Sequence, residues 1–437
     1  MRFIQMCKNI WKIEDLRTRL LITALFVLIY RFGSFIVLPG IDPTDLEAMH
    51  KQTEGGLMAL LDMFSGGAFS NASIFALGIM PYISASIVVQ LLSIAVPYFQ
   101  KMQKEGESGR QKMNQITRYL TVAILLLQGP SYLANLSHQM GAGFNTGFII
   151  TSTILLAAGS MFVMWLGERI TDRGVGNGIS FIILIGIIAR LPQAITQEFV
   201  YRYTGAGGLI MFILEILILI AVLAFAILLV QGTRRIPVQY AKRIQGNKQY
   251  GGVRQYIPLK VNAANVMPII FAQAIMFIPL AIMMGIGSVE GGAFMDNDGF
   301  WYNLVFALLI IAFTYFYTAI IINPVQMAEN LKVNNGFIPG VKPGKKTAEY
   351  IDTVMSRIVL PGSILLAIIA VLPAVARNAF GMTSGFAQFF GGTSLLIMVG
   401  VILDTLQQIE SHLLMRHYDG FFESGMRIKG RTGAMAY

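Results

Sequence analysis

The chain has 437 residues, a net charge of +10, and a composition that is 55% hydrophobic but only 13% charged. Soluble domains carry roughly 25% charged residues, and here the deficit falls in blocks: 63–100, 119–167, 261–289, 299–328 and 378–403 contain no Asp, Glu, Lys or Arg. That excludes a large soluble α-bundle. A bilayer core needs about 20 apolar residues per helix, so these runs predict an all-α integral membrane protein. Barrel strands would be about ten residues long and would alternate.

In chain order, the first segment is basic and holds the single cysteine, Cys7. One cysteine excludes a disulfide framework, and placed in the cytoplasm it stays reduced. Residues 20–38 are predicted as the first span: they include Arg31 and lack a small-residue cleavage site, so they are not read as a removed leader. The loop from Pro39 to Asn71 carries an apolar patch from Leu57 to Phe64, followed by Ser65-Gly66-Gly67. Two helical turns are too short to span. The patch is either a half-helix folded back into the protein at membrane depth or an interfacial helix on the outer leaflet.

Nine further spans are predicted at 72–96, 117–136, 148–167, 178–198, 208–231, 262–286, 301–325, 356–376 and 391–413. Ten spans place both termini on one side. Of the 33 Lys and Arg residues, 28 then fall on that side and four (Lys51, Arg190, Arg202 and Arg377) on the other, with Arg31 inside the first span. The positive-inside rule makes the rich side cytoplasmic; miscounting by one helix would destroy the split. Ten helices divide into two sets of five, 1–200 and 201–437, and an odd number puts the second set in the membrane upside down. That is the topology of inverted repeats in proteins that move substrates across bilayers.

Ile83 and Ile87, and Ile183 and Ile187, each share one helix face, which taken alone signifies core or lipid contact. The polar residues Ser84, Ser86, Gln90 and Gln273 lie in otherwise apolar spans and hint at a polar passage, since such groups face a neighbour or water. The ionisable residues within or near spans, Arg31, Glu215, Arg190 and Asp404, are functional candidates for the same reason. His50, His138, His412 and His417 lie outside spans or near their ends, with no metal-ligand spacing. No nucleophile–base pair sits at membrane depth, so neither an enzyme, nor a metal, nor another cofactor is predicted. A small-solute transporter would want an ion or substrate site at the midplane with coordinating polar groups; the spans hold no chain of Asp, Glu or His at that depth, and the isoleucines argue against it.

Gly340-Val-Lys-Pro-Gly344-Lys345-Lys346-Thr347 imitates a phosphate-binding loop but has three residues between its glycines instead of four, with Lys346 intervening before Thr347. Direct nucleotide binding is therefore not expected, and nucleotide-driven work falls to a partner. The two longest cytoplasmic loops fit one. Residues 232–260 hold Arg234, Arg235, Lys242, Arg243, Lys248, Arg254 and Lys260 with no acid; residues 329–357 hold Lys332, Lys342, Lys345 and Lys346 around two Pro-Gly-type turns. Orientation bias and anionic lipid account for part of this charge. A protruding surface for an acidic or RNA-rich partner accounts for the loop length as well.

Several segments together resemble the SecY family, the central subunit of the bacterial Sec protein-translocation channel. They are Arg31-Phe-Gly-Ser-Phe with Pro39-Gly-Ile-Asp42, Met63-Phe-Ser-Gly-Gly-Ala68, Ala72 through Ser86, Lys104-Glu-Gly-Glu-Ser-Gly-Arg110, Met164-Trp-Leu-Gly-Glu168, Gly176-Asn-Gly-Ile-Ser180, Tyr240-Ala-Lys-Arg243, Pro258-Leu-Lys-Val-Asn262 and Phe390-Gly-Gly-Thr-Ser-Leu-Leu396. The resemblance covers nearly the whole chain. It implies ten helices in two inverted halves around a central pore, and export of unfolded preproteins across the cytoplasmic membrane with lateral release of apolar segments.

By motif matching it implies a pore ring of Ile83, Ile87, Ile183, Ile187, Ile270 and Ile397. It implies a plug at about 57–68 that includes Met58, Leu61, Met63, Phe64, Ser65, Gly66 and Gly67. It implies a lateral gate between helices 2 and 7 with Ser86, Gln90 and Asn265. The partners it implies are the small membrane subunits SecE and SecG, the motor ATPase SecA, the ribosome and preprotein signal sequences. Arg234, Arg235, Lys242, Arg243, Arg254 and Lys342 would form the docking surface for SecA or the ribosome. Lys342 stands where the family usually has arginine, keeping the charge but losing the planar fork.

Overall fold

The computed structural model describes residues 13–41, 62–140, 145–205, 208–240, 243–245, 248–250, 254–264, 266–273, 275–276 and 299–423. Helices dominate. Their order is α1 (Glu14–Gly33), α2 (Met80–Ala95), α3 (Pro97–Lys104), α4 (Glu107–Met140), α5 (Thr146–Arg173), α6 (Gly178–Tyr203), α7 (Gly208–Gln231), α8 (Phe300–Ile321), α9 (Pro324–Val333), α10 (Lys345–Phe380), the short α11 (Ser384–Ala387) and α12 (Gly392–Glu423). Residues 267–273 are also helical, and the rest of the predicted seventh span lies largely outside the described residues.

By length and composition, seven helical runs among the described residues can cross a membrane: α4, α5, α6, α7, α8 together with α9, α10 and α12. The α2–α3 pair, bent by 100°, adds an eighth if it is taken as one broken span. The helix α1 covers most of the first predicted span but is not among these, since it carries Arg17, Arg19 and Arg31 along its length. With backbone groups satisfied inside each helix, this is an all-α membrane fold.

Two predicted boundaries are corrected. The first span, expected over 20–38, ends as a helix at Gly33. A Cβ there would lie 2.1 Å from the Phe75 ring, and the chain continues extended, with Leu38 N donating to Ala72 O (2.9 Å) and Ile74 N to Ile36 O (3.0 Å). The second, expected over 72–96, becomes α2 only at Met80. Between 62 and 78 side chains take up the backbone donors that a helix would use: Phe69 N donates to Ser65 Oγ (3.0 Å), Ser70 N to Asp62 Oδ1 (2.8 Å) and Phe75 N to Ser73 Oγ (3.2 Å). Such local bonds compete with helix, and Pro81 then starts α2 at a position where its missing N–H is harmless.

The basic loop 232–260 is a β-hairpin. Strand β1 (Thr233–Tyr240) pairs antiparallel with β4 (Arg254–Lys260), from Thr233↔Lys260 to Gln239↔Arg254. Between them β2 (Arg243–Gln245) and β3 (Lys248–Tyr250) pair with each other. The other basic loop supplies β5 (Gly336–Phe337), which joins the free edge of β1 through Gln239↔Phe337 and Tyr240↔Gly336. Beneath this sheet Ile236, Val238, Leu259, Leu331, Ile338, Ile351, Met355 and Val359 form a small core of their own. The largest core lies at the centre of the bundle, where α2, α6, α12 and the 62–78 turn meet.

Candidate functional site

The central core gathers most of the isoleucines singled out in the sequence. Ile183 and Ile187 of α6, one turn apart, are 4% and 0% exposed, and Ile397 of α12 is 3% exposed. Ile83 of α2 and Ile270 pack against the same cluster. Ile87, also buried, lies outside it. The cluster includes Met63, Phe64, Ala68, Phe75 and Ile79 from the turn after the first helix. The described part of the patch, residues 62–64, and the turn after it are therefore buried inside the protein, which fits the folded-back reading of that part rather than an interfacial helix. Met58 and Leu61 lie outside the described residues.

Backbone contact makes this fit possible. A Cβ on Gly186, between Ile183 and Ile187, would meet Phe64 O at 2.7 Å and Gly66 N at 3.2 Å. One on Gly66 would meet the Gly186 Cα at 2.9 Å. Gly66 and Gly67 hold φ of +66° and +93°, a region that glycine enters freely and other residues rarely adopt. The turn therefore lies directly on the α6 backbone.

Polar anchors hold the turn from two sides. Tyr30 Oη of α1 donates to Ser65 O (3.0 Å), and Arg31 Nη1 donates to Gly66 O (2.7 Å). From α6, Arg190 Nη2 pairs with Asp62 Oδ2 and donates to Ser70 Oγ (2.6 Å), while its Nη1 donates to Gln193 Oε1 (2.7 Å). Arg31 and Arg190, isolated charges in the sequence, thus converge on one target, the 62–70 turn. The one sequence signal for it is Asp62, the sole acid inside the apolar patch.

Two other polar groupings cross the bundle. Tyr317 Oη of α8 donates to Gln90 Oε1 of α2 (3.2 Å), and Gln90 Nε2 donates to Ser86 Oγ (3.3 Å). Asn265, the third residue expected there, lies outside the described residues. At the far end of α6, Arg202 Nε donates to Glu198 Oε1 (2.9 Å) and its Nη2 to Glu215 Oε1 of α7 (2.5 Å) and to Phe380 O of α10 (2.7 Å). Glu198 Oε2 in turn accepts from Thr383 N (2.8 Å) and Oγ1 (2.5 Å). All three ions are essentially fully buried. Glu198 and Arg202 have the i, i+4 spacing of a helical ion pair, a legible signal that the sequence reading left unused.

The basic residues are partly brought together. Arg234 and Arg235 are exposed on β1, Arg254 begins β4, and Arg243 begins β2. Lys342 is exposed in the turn after β5, and its carbonyl accepts from Thr347 Oγ1 (3.0 Å). Strand β5 sets that turn beside the hairpin. Lys242 lies outside the described residues. The phosphate-loop imitation is thus a helix start: Gly344, at φ +95°, leads into α10.

The family described as SecY matches residues 73–406. Curated relatives named "Protein translocase subunit SecY" include that of Streptomyces galbus, 43% identical over 430 residues, covering 94% of this chain and 98% of the relative. That of Pseudomonas aeruginosa is 41% identical over 433 residues, covering 97% and 96%. Among solved structures, "The structure of a protein conducting channel" superposes with a TM-score of 0.61 at 17% identity, covering 90% of this chain and 92% of the other. The canine "Sec61 in the Canine ribosome-channel complex from the endoplasmic reticulum" gives 0.59 at 16% identity, with the same coverages. At those identities the likeness is one of fold.

Proposed function

The chain belongs to the SecY family of multi-pass protein-translocation channels, and on that premise we propose how its residues divide the work. Unfolded preproteins cross the bacterial cytoplasmic membrane through the centre of the bundle, between an N-terminal half of residues 1–200 and a C-terminal half of 201–437. Ile83, Ile87, Ile183, Ile187, Ile270 and Ile397 form the constriction. Branched aliphatic side chains seal by packing and dewetting, yet recognise no particular passenger. The segment around 57–68 is the plug. Apolar passenger segments leave between α2 and the helix that begins at 267, past Ser86, Gln90 and Asn265.

Both termini and the β1–β4 hairpin face the cytoplasm, where Arg234, Arg235, Lys242, Arg243, Arg254 and Lys342 receive SecA or the ribosome. SecE and SecG complete the complex, and anionic lipid meets the remaining basic surface. The chain itself binds no nucleotide and catalyses no reaction.

The observation that carries this reading is the sharing of one apolar cluster by Met63 and Phe64 with Ile183, Ile187 and Ile397. A plug must touch the ring that it closes. Vesicles holding the purified complex test it. Deleting 58–66 raises resting ion leak while SecA-driven preprotein import persists. A parental leak would show that the segment does not seal.

A further inference from the structure

The contacts on Asp62 divide into two kinds. Its Oδ1 accepts from Ser70 N (2.8 Å), which closes the turn on itself. Its Oδ2 pairs with Arg190 on α6, 128 residues away. Arg190 also bonds Ser70 Oγ (2.6 Å), so one guanidinium holds both ends of the 62–70 turn. It also lies close over the turn's middle, where a Cβ on Gly67 would meet its Nη2, Cζ and Nε at 3.1–3.2 Å. The side chains of Asp62 and Arg190 are 8% and 19% exposed. The pair is therefore mostly withdrawn from water.

The apolar contacts of Met63 and Phe64 are non-directional: another apolar surface, including a passenger's, can replace them. The ion pair has no such substitute. A small displacement of the turn breaks it and leaves two charges poorly solvated, which costs far more than losing one apolar contact. Resistance to opening thus has one part that an apolar passenger can exchange and one that it cannot.

We propose that the Asp62–Arg190 pair is a latch that sets how strong a signal segment must be before the channel opens, an inference that rests on the channel reading above. Asp62, Arg190 and Ser70 act as positioning residues for the plug. A ligand shifts a two-state equilibrium only by its differential affinity for the two states, so stiffening the shut state rejects weak signals first. Removing the latch admits them without altering the path taken by strong ones.

The test uses vesicles with the complete complex and two preproteins, one with its normal signal and one with a signal weakened by a charge in its apolar stretch. Import is expressed as the ratio of weak to normal, which cancels differences in channel amount. Asp62→Asn keeps an acceptor for Ser70 N but loses the charge; Arg190→Gln loses the cation. Each single variant is expected to raise the ratio about tenfold, the size of shift that one partly buried charge contact makes in a two-state equilibrium. The double variant is expected to go no further than Arg190→Gln alone, because that change already removes both the ion pair and the bond to Ser70.

Ser70→Ala, which removes the bonds of Ser70 Oγ to Arg190 and to Gly67 O (3.2 Å) but keeps the ion pair, is expected to raise the ratio by less. Should Arg190→Gln fail to accumulate, Asp62→Asn and Ser70→Ala decide the matter by their order. An unchanged ratio in Asp62→Asn, or fully additive effects in the double variant, overturns the latch. Failure of the parent to import even the normal preprotein strikes instead at the channel reading.

Discussion

Among the described residues, two of the polar junctions between elements before residue 204 and elements after it have opposite chemistry. Between α2 and α8 the link is neutral and part-buried: Tyr317 to Gln90, and Gln90 to Ser86. At the end of α6 it is ionic and fully buried, with Arg202 bonded to Glu198, to Glu215 of α7 and to the carbonyl of Phe380, and Glu198 bonded to Thr383. A neutral amide that loses its partner can take a bond from water or from a passing peptide. A buried ion that loses its partner is left charged in an apolar interior. The difference teaches what each junction would cost to part: little at the neutral α2–α8 link, much at the ionic one.

The largest expected effect breaks the ionic side. Arg202→Ala leaves Glu198 and Glu215 buried without their cation, and should cost about 3–5 kcal/mol. Thermal unfolding of the purified protein in lipid measures it; a shift no larger than that of an exposed charge would erase the contrast. Next comes a purely steric change at the ring. Gly186→Ala pushes a methyl into Phe64 O and Gly66 N, and overpacking of this kind costs about 1–3 kcal/mol. Resting ion leak should rise in vesicles, with α6 itself intact by circular dichroism.

Smaller still is Glu215→Gln. It weakens one bond to Arg202 but removes one of two acids that share a single cation, so the net change should stay within about 1 kcal/mol, as for an ordinary hydrogen bond. A loss as large as that of Arg202→Ala would mean that both acids are needed as charges. The least effect is expected at the α2–α8 seam: Tyr317→Phe gives up one long, part-buried neutral hydrogen bond that water can replace, about 0.5 kcal/mol. Release of an apolar passenger segment into lipid should quicken by less than about tenfold, with melting temperature unchanged. A large melting shift there would remove the distinction between the junctions.

The parts legible in the sequence are those set by local composition. α7 spans the predicted 208–231, and α8 starts one residue before its predicted limit, because apolar runs of that length have one way to satisfy their backbone in lipid. What escaped depends on residues far apart in the chain. The helix expected from 72 begins only at 80: Ser73 Oγ takes the Phe75 N–H, and Ala72 and Gly78 hold φ of +43° and +53°, which no right-handed helix contains. Arg190 and Asp62 are 128 residues apart, and neither has a neighbour that announces the other. Along β1, Ile236 and Val238 alternate with exposed Arg235 and Pro237, a period of two that the run of basic charge concealed. The isoleucines proposed as the ring are named by motif likeness: four of them share faces by spacing, but spacing alone does not separate a pore from a core.

The hairpin also has mechanical meaning. β1 and β4 stay paired from Thr233↔Lys260 to Gln239↔Arg254, a ribbon about 20 Å long at roughly 3.4 Å per residue. At its root Val261 N bonds Gly232 O (2.8 Å), and a Cβ on Gly362 would lie 2.8 Å from Val261 O. The ribbon is thus a lever with its fulcrum against α10, next to Pro361. A sideways load at the tip arrives at the root multiplied by the ratio of the arms. It is delivered within six residues of the helical turn at 267–273, where Ile270 packs on the central core.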